Sequence, residues 1–437
     1  MPTLESSVVT ATAPQPTDPP SGAEPGGLSR RRLLTGGAAL TALGAGGTAA
    51  WAACVRGGDA EPRDTGTVPA PQPRWTRDFS TPSSLVGVAG GVLVVSGAGE
   101  GPQSWWLAGV DVLSGARLWQ SRSYSTVTDV GELLAVGVNV EELGHVADGT
   151  VRGVDPRTGE MVPLRGDLGR PGDGLDTVHA TGQPGVVHLS GPEAVAAYDL
   201  ASRSRLWIAR HSSCRPGAVA GGVLLCTTEG RDAVVGLDRA DGTRRWRRTF
   251  APGALGPIGP RSVGAGTVYL GGREVVALDA DGGEELWRWG ADRKAGPRPD
   301  RQYYQAPQPV GGVVHTVAPD GRKPDGSSTF SLIALDAATG RHLWTHRSAR
   351  GMFDRMGAPL VRRGTVYVDT GDGTRPIVAV DTRTHATRWV LRGSATSQEW
   401  GGGALLDGAT LYVSTGTRVV ALPMGAGRSR GQGPDVR

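Results

Sequence analysis

From Trp75 to Leu422 the chain alternates short apolar runs with polar breaks that carry glycine, proline or aspartate. Runs this short, bounded by turn formers, predict strands rather than helices. Two patterns recur. The first reads apolar-small-apolar-Asp, three residues, glycine and, four places on, tryptophan. It is seen in Ala108-Gly-Val-Asp-Val-Leu-Ser-Gly-Ala-Arg-Leu-Trp119 and in Ile333-Ala-Leu-Asp-Ala-Ala-Thr-Gly-Arg-His-Leu-Trp344. It returns at Asp238/Gly242/Trp246 and Asp279/Gly283/Trp287, and with the glycine replaced at Asp199/Ser203/Trp207 and Asp381/His385/Trp389. At Asp155/Gly159 the turn is kept and Pro163 stands in the tryptophan position. The second pattern lies upstream: Val88-Ala-Gly-Gly-Val-Leu-Val-Val95, Val219-Ala-Gly-Gly-Val-Leu-Leu225, Val263-Gly-Ala-Gly-Thr-Val-Tyr269 and Val361-Arg-Arg-Gly-Thr-Val-Tyr367. Each reads as strand, tight turn, strand.

One unit is therefore four short strands, A to D, repeating every roughly 44 residues. Between C and D, aspartate can accept hydrogen bonds from turn amides, and glycine supplies the positive φ. A four-stranded sheet of this size cannot bury both faces alone, whereas units set radially bury each face on the next. The expected fold is all-β, an eight-bladed β-propeller of four-stranded antiparallel blades, with each tryptophan packed between neighbours. Arg418–Leu422 is a C strand without a D strand, and 73–79, with Trp75, is a D strand without a C strand. The N-terminal strand is thus expected to close the last blade and remove two open sheet edges.

The form Ala-Leu-Asp-x-x-Thr-Gly-x-x-x-Trp, repeated over 73–424, resembles the pyrroloquinoline-quinone (PQQ) repeat of quinoprotein-like propellers. That family includes quinone dehydrogenases, assembly scaffolds and kinase sensor domains, so the resemblance implies the fold more than a cofactor. In the dehydrogenases it implies adjacent bonded cysteines, a Glu/Asn/Asp calcium site, a catalytic aspartate and a tryptophan floor. This chain has no Cys-Cys pair, and its only asparagine is Asn139. It also lacks the large insertions that build an active-site funnel. The non-dehydrogenase branch is expected, with no catalytic residue, no metal ligand and no cofactor.

Composition adds an address. Residues 1–28 are rich in Pro, Ser, Thr and Gly; Ser29-Arg30-Arg31-Arg32-Leu33-Leu34 then precedes an uncharged Gly/Ala/Leu run to Ala53. This reads as a twin-arginine export signal over 1–53, since the run's glycines make a poor membrane anchor. Cys54 after Ala52-Ala53 is a lipidation candidate, although Trp51 departs from the usual aliphatic residue, so soluble secretion stands as the alternative. Residues 54–72 form a polar, disordered tether, 73–424 the propeller and 425–437 a disordered tail. The protein is expected at the outer face of the cytoplasmic membrane as a lipoprotein, or secreted. A net charge of +4 lacks the dense basic face of a nucleic-acid binder. Cys214 and Cys226 flank the Gly221-Gly222 turn; ideal pairing leaves them three positions out of register, and a disulfide and two thiols both stay open.

Catalytic motifs are missing. The 8 histidines are scattered, and His342 and His346 lie in a strand, where a spacing of four does not serve a helical metal pair. Asp279-Ala-Asp281-Gly282 is accounted for by the repeat turn. What is distinctive lies in the connections. With strands ordered A to D from axis to rim, the D–A and B–C connections share one face and the short A–B and C–D turns share the other. The longer connections bring together Arg301, Tyr303 and Tyr304; Phe353, Asp354 and Arg355; and Glu399 and Trp400, entering the sixth, seventh and eighth units. Glu141–Thr150 and Pro319–Ser328 are read as B–C insertions on that side. Aromatic residues and arginine among acids are the chemistry of recognition sites. The expected function is a monomeric, non-catalytic scaffold binding an unknown protein or small ligand at the cell surface, with no nucleic acid and with membrane contact only through Cys54. A secreted quinone- or metal-dependent oxidoreductase is the alternative.

Overall fold

The computed structural model describes residues between 70 and 424, apart from 99–104, 123–125, 131–132, 138–150, 164–174, 176, 180, 203, 212, 291–304, 323–327, 348–357, 371–374 and 394–401. All belong to one compact unit, 60–437. The fold is an all-β propeller. Blades 1 to 7 span 83–122, 126–163, 177–210, 214–249, 263–289, 308–347 and 360–391, each with its four strands hydrogen-bonded in chain order. The first strands stand side by side around the axis, from blade 1 through blade 7 to Gly402–Asp407 and back to blade 1.

The expectation of eight blades needs correction. Seven are blades of four consecutive strands; the remaining four-stranded sheet is not an eighth copy of that unit. It is a composite in which Trp75–Asp78 pairs with Arg418–Pro423, followed by Thr410–Thr415 and Gly402–Asp407. The reason lies in chain order: among the described residues no strand follows Pro423, so its outer partner comes from the other end of the chain. The pairing is in register from Trp75↔Ala421 to Asp78↔Arg418.

The core lies between sheets. Trp75, Leu93, Val95, Trp106, Tyr412 and Val419 fill one interface, and Tyr269, Trp287, Val314, Ile333 and Leu335 fill another. Each such aliphatic side chain contributes about 1.5–3 kcal/mol on burial. The repeated tryptophan spans these interfaces. Trp287 donates its indole N–H to the Ala337 carbonyl of the next blade at 2.9 Å, Trp207 to Arg239 at 2.9 Å, Trp119 to Pro156 at 2.7 Å and Trp75 to Val112 at 2.9 Å.

Turn glycines fit beneath these rings. At Gly340 φ is +70°, and a Cβ there would lie 2.6 Å from the Trp287 ring, so the position requires glycine twice over. Blade 7 solves the same problem differently. His385 takes φ +57° in the glycine position and stacks its own ring on Trp344, with centroids 4.7 Å apart.

Each tryptophan also faces its own blade two strands inward. Trp287 is level with Ala277 and Tyr269, Trp389 with Ala379 and Tyr367, Trp207 with Ala197 and His188, and Trp344 with Ala334 and His315. Strands C and D share a bulge at the residue before the tryptophan. That residue is left without a ladder partner and turns outward, which explains why Leu118, Leu206 and Leu286 are about half exposed.

Candidate functional site

Backbone hydrogen bonds sort the connections into two faces. At one end, a C–D turn amide donates to the A–B turn carbonyl of its own blade in six of the seven blades: Val112 to Gly91, Leu200 to Gly185, Arg239 to Gly222, Ala280 to Gly266, Ala337 to Gly312 and Thr382 to Gly364. The turn aspartates are consumed locally. Asp279 Oδ1 accepts from the amides of Asp281 at 3.0 Å and Gly282 at 2.7 Å, and Asp281 pairs with Arg245 at 2.6 Å. The Ser114 hydroxyl holds the Asp111 carboxyl below its usual range, and the Thr339 hydroxyl does so for Asp336. At Asp381 burial favours the neutral acid, but the Thr384 amide and the Arg388 guanidinium outweigh it and bring the pKa to about 2. These carboxylates are ionised turn braces.

At the other end, D–A connections bond to B–C connections. Ser213 donates to Pro192 and His211 to Glu193; Glu229 donates to Ser213, Phe250 to Asp232, and Gly256 to Gly271. This is the face on which the longer connections lie. Its described quadrant, blades 3 to 5, carries Glu193, Glu229, Arg231, Asp232, Arg273 and Glu274; Arg215 pairs with Glu229 at 3.3 Å, and Glu274 with Arg288 at 2.5 Å.

The eight residues singled out from the sequence, Arg301, Tyr303, Tyr304, Phe353, Asp354, Arg355, Glu399 and Trp400, lie outside the described residues, as do Cys54 and 141–150. By chain position they fall in the D–A connections that lead to blade 6, blade 7 and Gly402–Asp407. At the expected insertion Pro319–Ser328, the flanking strands Val313–Arg322 and Ser328–Asp336 pair out to Arg322↔Ser328, and 323–327 lie outside the described residues.

Cys214 and Cys226 are both buried and unbonded. A bulge at Gly217 shifts the register, so that Cys226 faces Pro216 and Cys214 faces Thr228. Their offset is therefore two positions, not three. An even offset puts both thiols on one face, where they join Trp207 and Leu224 in a single apolar cluster. Desolvation, with a hydrogen bond that the Cys226 thiol donates to Cys214, holds the Cys226 thiol well above its ordinary pKa, so it is a poor nucleophile.

One group on the axis carried no sequence signal. The connection between blades 4 and 5 runs past Leu255 and Ile258 into a short 3-10 turn, Pro260–Ser262, that lies against the first strands of blades 4 and 6. Two glycines let it sit that close: a Cβ at Gly217 would fall 2.5 Å from the Ile258 carbonyl oxygen, and one at Gly182 would fall 2.9 Å from Pro260. Arg261 in this turn is exposed.

Among the described residues no three His, Cys, Asp or Glu side chains group as ligands. His342 Nε2 meets Thr345, and His346 Nδ1 donates to the His385 carbonyl at 2.8 Å.

Comparison with known proteins agrees on the fold. A solved quinohemoprotein alcohol dehydrogenase from Pseudomonas putida HK5 matches at TM-score 0.50 and 14% identity, covering 85% of this chain and 78% of its own. The quinohemoprotein alcohol dehydrogenase from Comamonas testosteroni matches at 0.50 and 13%, covering 86% and 80%. BamB from Moraxella catarrhalis matches at 0.44 and 13%, covering 81% of this chain and 99% of its own. A search of curated proteins gives no match. The profile of the family described as outer membrane protein assembly factor BamB matches residues 10–248, 191–295, 231–353 and 271–434. With most of its length matched, this chain belongs to that PQQ-repeat β-propeller family.

Proposed function

We propose that the protein is an exported, surface-associated, non-catalytic propeller that binds a protein partner through its D–A and B–C connection face. Family membership carries this reading, since the family's description names an assembly factor rather than an enzyme. The architecture supports it. The turn face repeats one braced motif from blade to blade, whereas the connection face varies in length and chemistry, and recognition usually resides in variable loops on a rigid scaffold. Arginine, tyrosine and tryptophan at 301–304, 353–355 and 399–400 supply residue types enriched in binding hot spots. The alternative, an oxidoreductase, would share the fold of the quinohemoprotein enzymes.

The test is capture of the partner from the protein's own membrane after crosslinking. Tyr304→Ala with Trp400→Ala on the connection face is expected to abolish recovery while the fold survives. Arg117→Ala on an outer strand should leave recovery unchanged. Retained binding by the first pair would place the site elsewhere.

The export reading has its own check. Replacing Arg30 and Arg31 by lysine should leave the precursor in the cytoplasm, measured by fractionation; normal export would refute the twin-arginine assignment.

A further inference from the structure

We propose that Arg244 and Arg247, on the outer strand of blade 4, form a carboxylate-binding pair, and that an extended acidic segment of a protein partner lies on them along the open edge of that blade. The repeat supplies an internal comparison. In blades 1, 4, 5 and 6 the bulge before the tryptophan brings two outer-strand residues onto one face: the one two places before the tryptophan and the one just after it. In three of these blades the two side chains are complementary and meet. Arg117 donates to Gln120 at 2.6 Å, Arg288 to Glu285 at 3.1 Å, and His342 Nε2 meets Thr345 Oγ1 at 2.7 Å. Blade 4 keeps the same register, with Arg244 opposite Leu237 and Arg247 opposite Val235.

Blade 4 therefore sets two exposed cations where the other three set a bonded pair. Like charges on adjoining positions repel, whereas an anion between them makes two charge-assisted hydrogen bonds. The same strand's other arginines are satisfied within the protein. Arg245 pairs with Asp238 at 2.8 Å and Asp281 at 2.6 Å, and Arg248 reaches across to Glu285 of blade 5 at 2.8 Å. Val235 and Leu237 pack with Trp207, so the residues opposite them, Arg247 and Arg244, are on the side toward blade 3. On that side the place that Arg248 takes against Glu285 is held by Ala209, two residues beyond Trp207, which brings no charge. Asp241, in the turn before Arg244, accepts from the amide and hydroxyl of Thr243.

The backbone fits the same occupant. Arg244–Thr249 is the last strand of its sheet, and among the described residues no strand pairs with its outer edge. Its free N–H and C=O groups can take one more strand. Two arginines two ladder steps apart, about 7 Å, match acids at alternate positions of an extended chain, which project to one side. The planar guanidinium fork suits their carboxylates. Charges that only keep sheet edges from associating would not need a second cation facing the first. This rim interface is independent of the partner proposed for the connection face.

The probe is a short labelled peptide alternating glutamate and threonine, titrated by fluorescence anisotropy into the full exported chain at low salt. Binding is expected, weakened about tenfold or more by Arg244→Gln with Arg247→Gln and unchanged by Arg117→Gln on blade 1. A peptide with proline in place of threonine keeps the charge but cannot pair with the edge, and it should bind about tenfold more weakly or worse. Arg244→Glu adds a readout that needs no ligand. It gives blade 4 the carboxylate–guanidinium pair of blade 5, so peptide binding should be lost while the thermal unfolding midpoint rises. Four results would each overturn the proposal: no peptide binding by the wild type, whether or not inorganic phosphate binds; equal binding by the double variant; equal binding of the proline peptide; or an Arg244→Glu midpoint that stays level or falls.

Discussion

Deleting residues 73–79 is expected to leave a protein that aggregates on purification and has lost cooperative unfolding. Among the described residues, Trp75–Asp78 is the only partner of the outer edge of Arg418–Pro423, from Trp75↔Ala421 to Asp78↔Arg418. Without it that edge presents free N–H and C=O groups to other chains. The tryptophan is the other half of the effect. Trp75 is only 8% exposed, meets Tyr412 with ring centroids 5.9 Å apart, and donates to the Val112 carbonyl of blade 1. Removing it opens the interface between the composite sheet and blade 1, so Trp75→Ala alone should cost about 3–5 kcal/mol. The Asp78–Arg418 ion pair is largely exposed and adds little. Denaturant unfolding followed by light scattering checks both variants. Unchanged stability and solubility after deletion would show that the terminal strand does not hold the ring closed.

The second large effect is acid sensitivity from two buried histidines. His188 and His315 occupy the place that Tyr269, Tyr367 and Tyr412 fill in other sheets, each ring about 6 Å from a tryptophan. His188 Nδ1 meets the Thr181 hydroxyl at 2.9 Å, while His188 Nε2 and His315 Nδ1 are buried without a partner. Burial, helped by His179 and Arg239, lowers the His188 pKa to about 3; burial lowers that of His315 to about 4. The unfolded chain takes up protons below about pH 6.5, whereas the folded chain stays neutral at both sites until far lower. Their contribution is therefore full above pH 6.5 and falls as the pH drops, by up to about 1.4 kcal/mol per pH unit for each histidine. His188→Tyr with His315→Tyr should flatten the decline between pH 6.5 and 4, measured as unfolding midpoint against pH. A parallel decline in the double variant would assign acid sensitivity to other groups.

Much of this architecture was legible from the chain, and the reason is locality. Strand runs with Gly-Gly or Asp-x-x-x-Gly breaks act within a few residues, so the unit, its turns and the buried tryptophans follow from the amino-acid order. The borrowed strand at Trp75 was legible for the same reason: a D pattern without a C pattern stands at one end, and the reverse stands at the other. The equivalence of every sheet was not, since only pairing shows that seven blades are contiguous and the closing sheet is composite. Residues 301–304, 353–355 and 399–400 stand out by composition and chain position alone and lie outside the described residues.

By itself the sequence determined the all-β repeat, the Asp-braced turns and the division of connections between two faces, because turn chemistry and a two-residue strand period are local. Tertiary structure alone decided the rest. The bulge at Gly217 converts an odd cysteine offset to an even one, and the bulge before each tryptophan turns Leu118, Leu206 and Leu286 outward. The composite interface buries Trp75 over blade 1, and the burial of His188 and His315 follows from the tryptophans two strands away. The turn at Pro260–Ser262 packs as closely as it does only because Gly182 and Gly217, far away in the chain, leave room for Pro260 and Ile258. Each of these depends on which sheets meet and how closely they approach, a property of surfaces brought together by folding that no local pattern of residues contains.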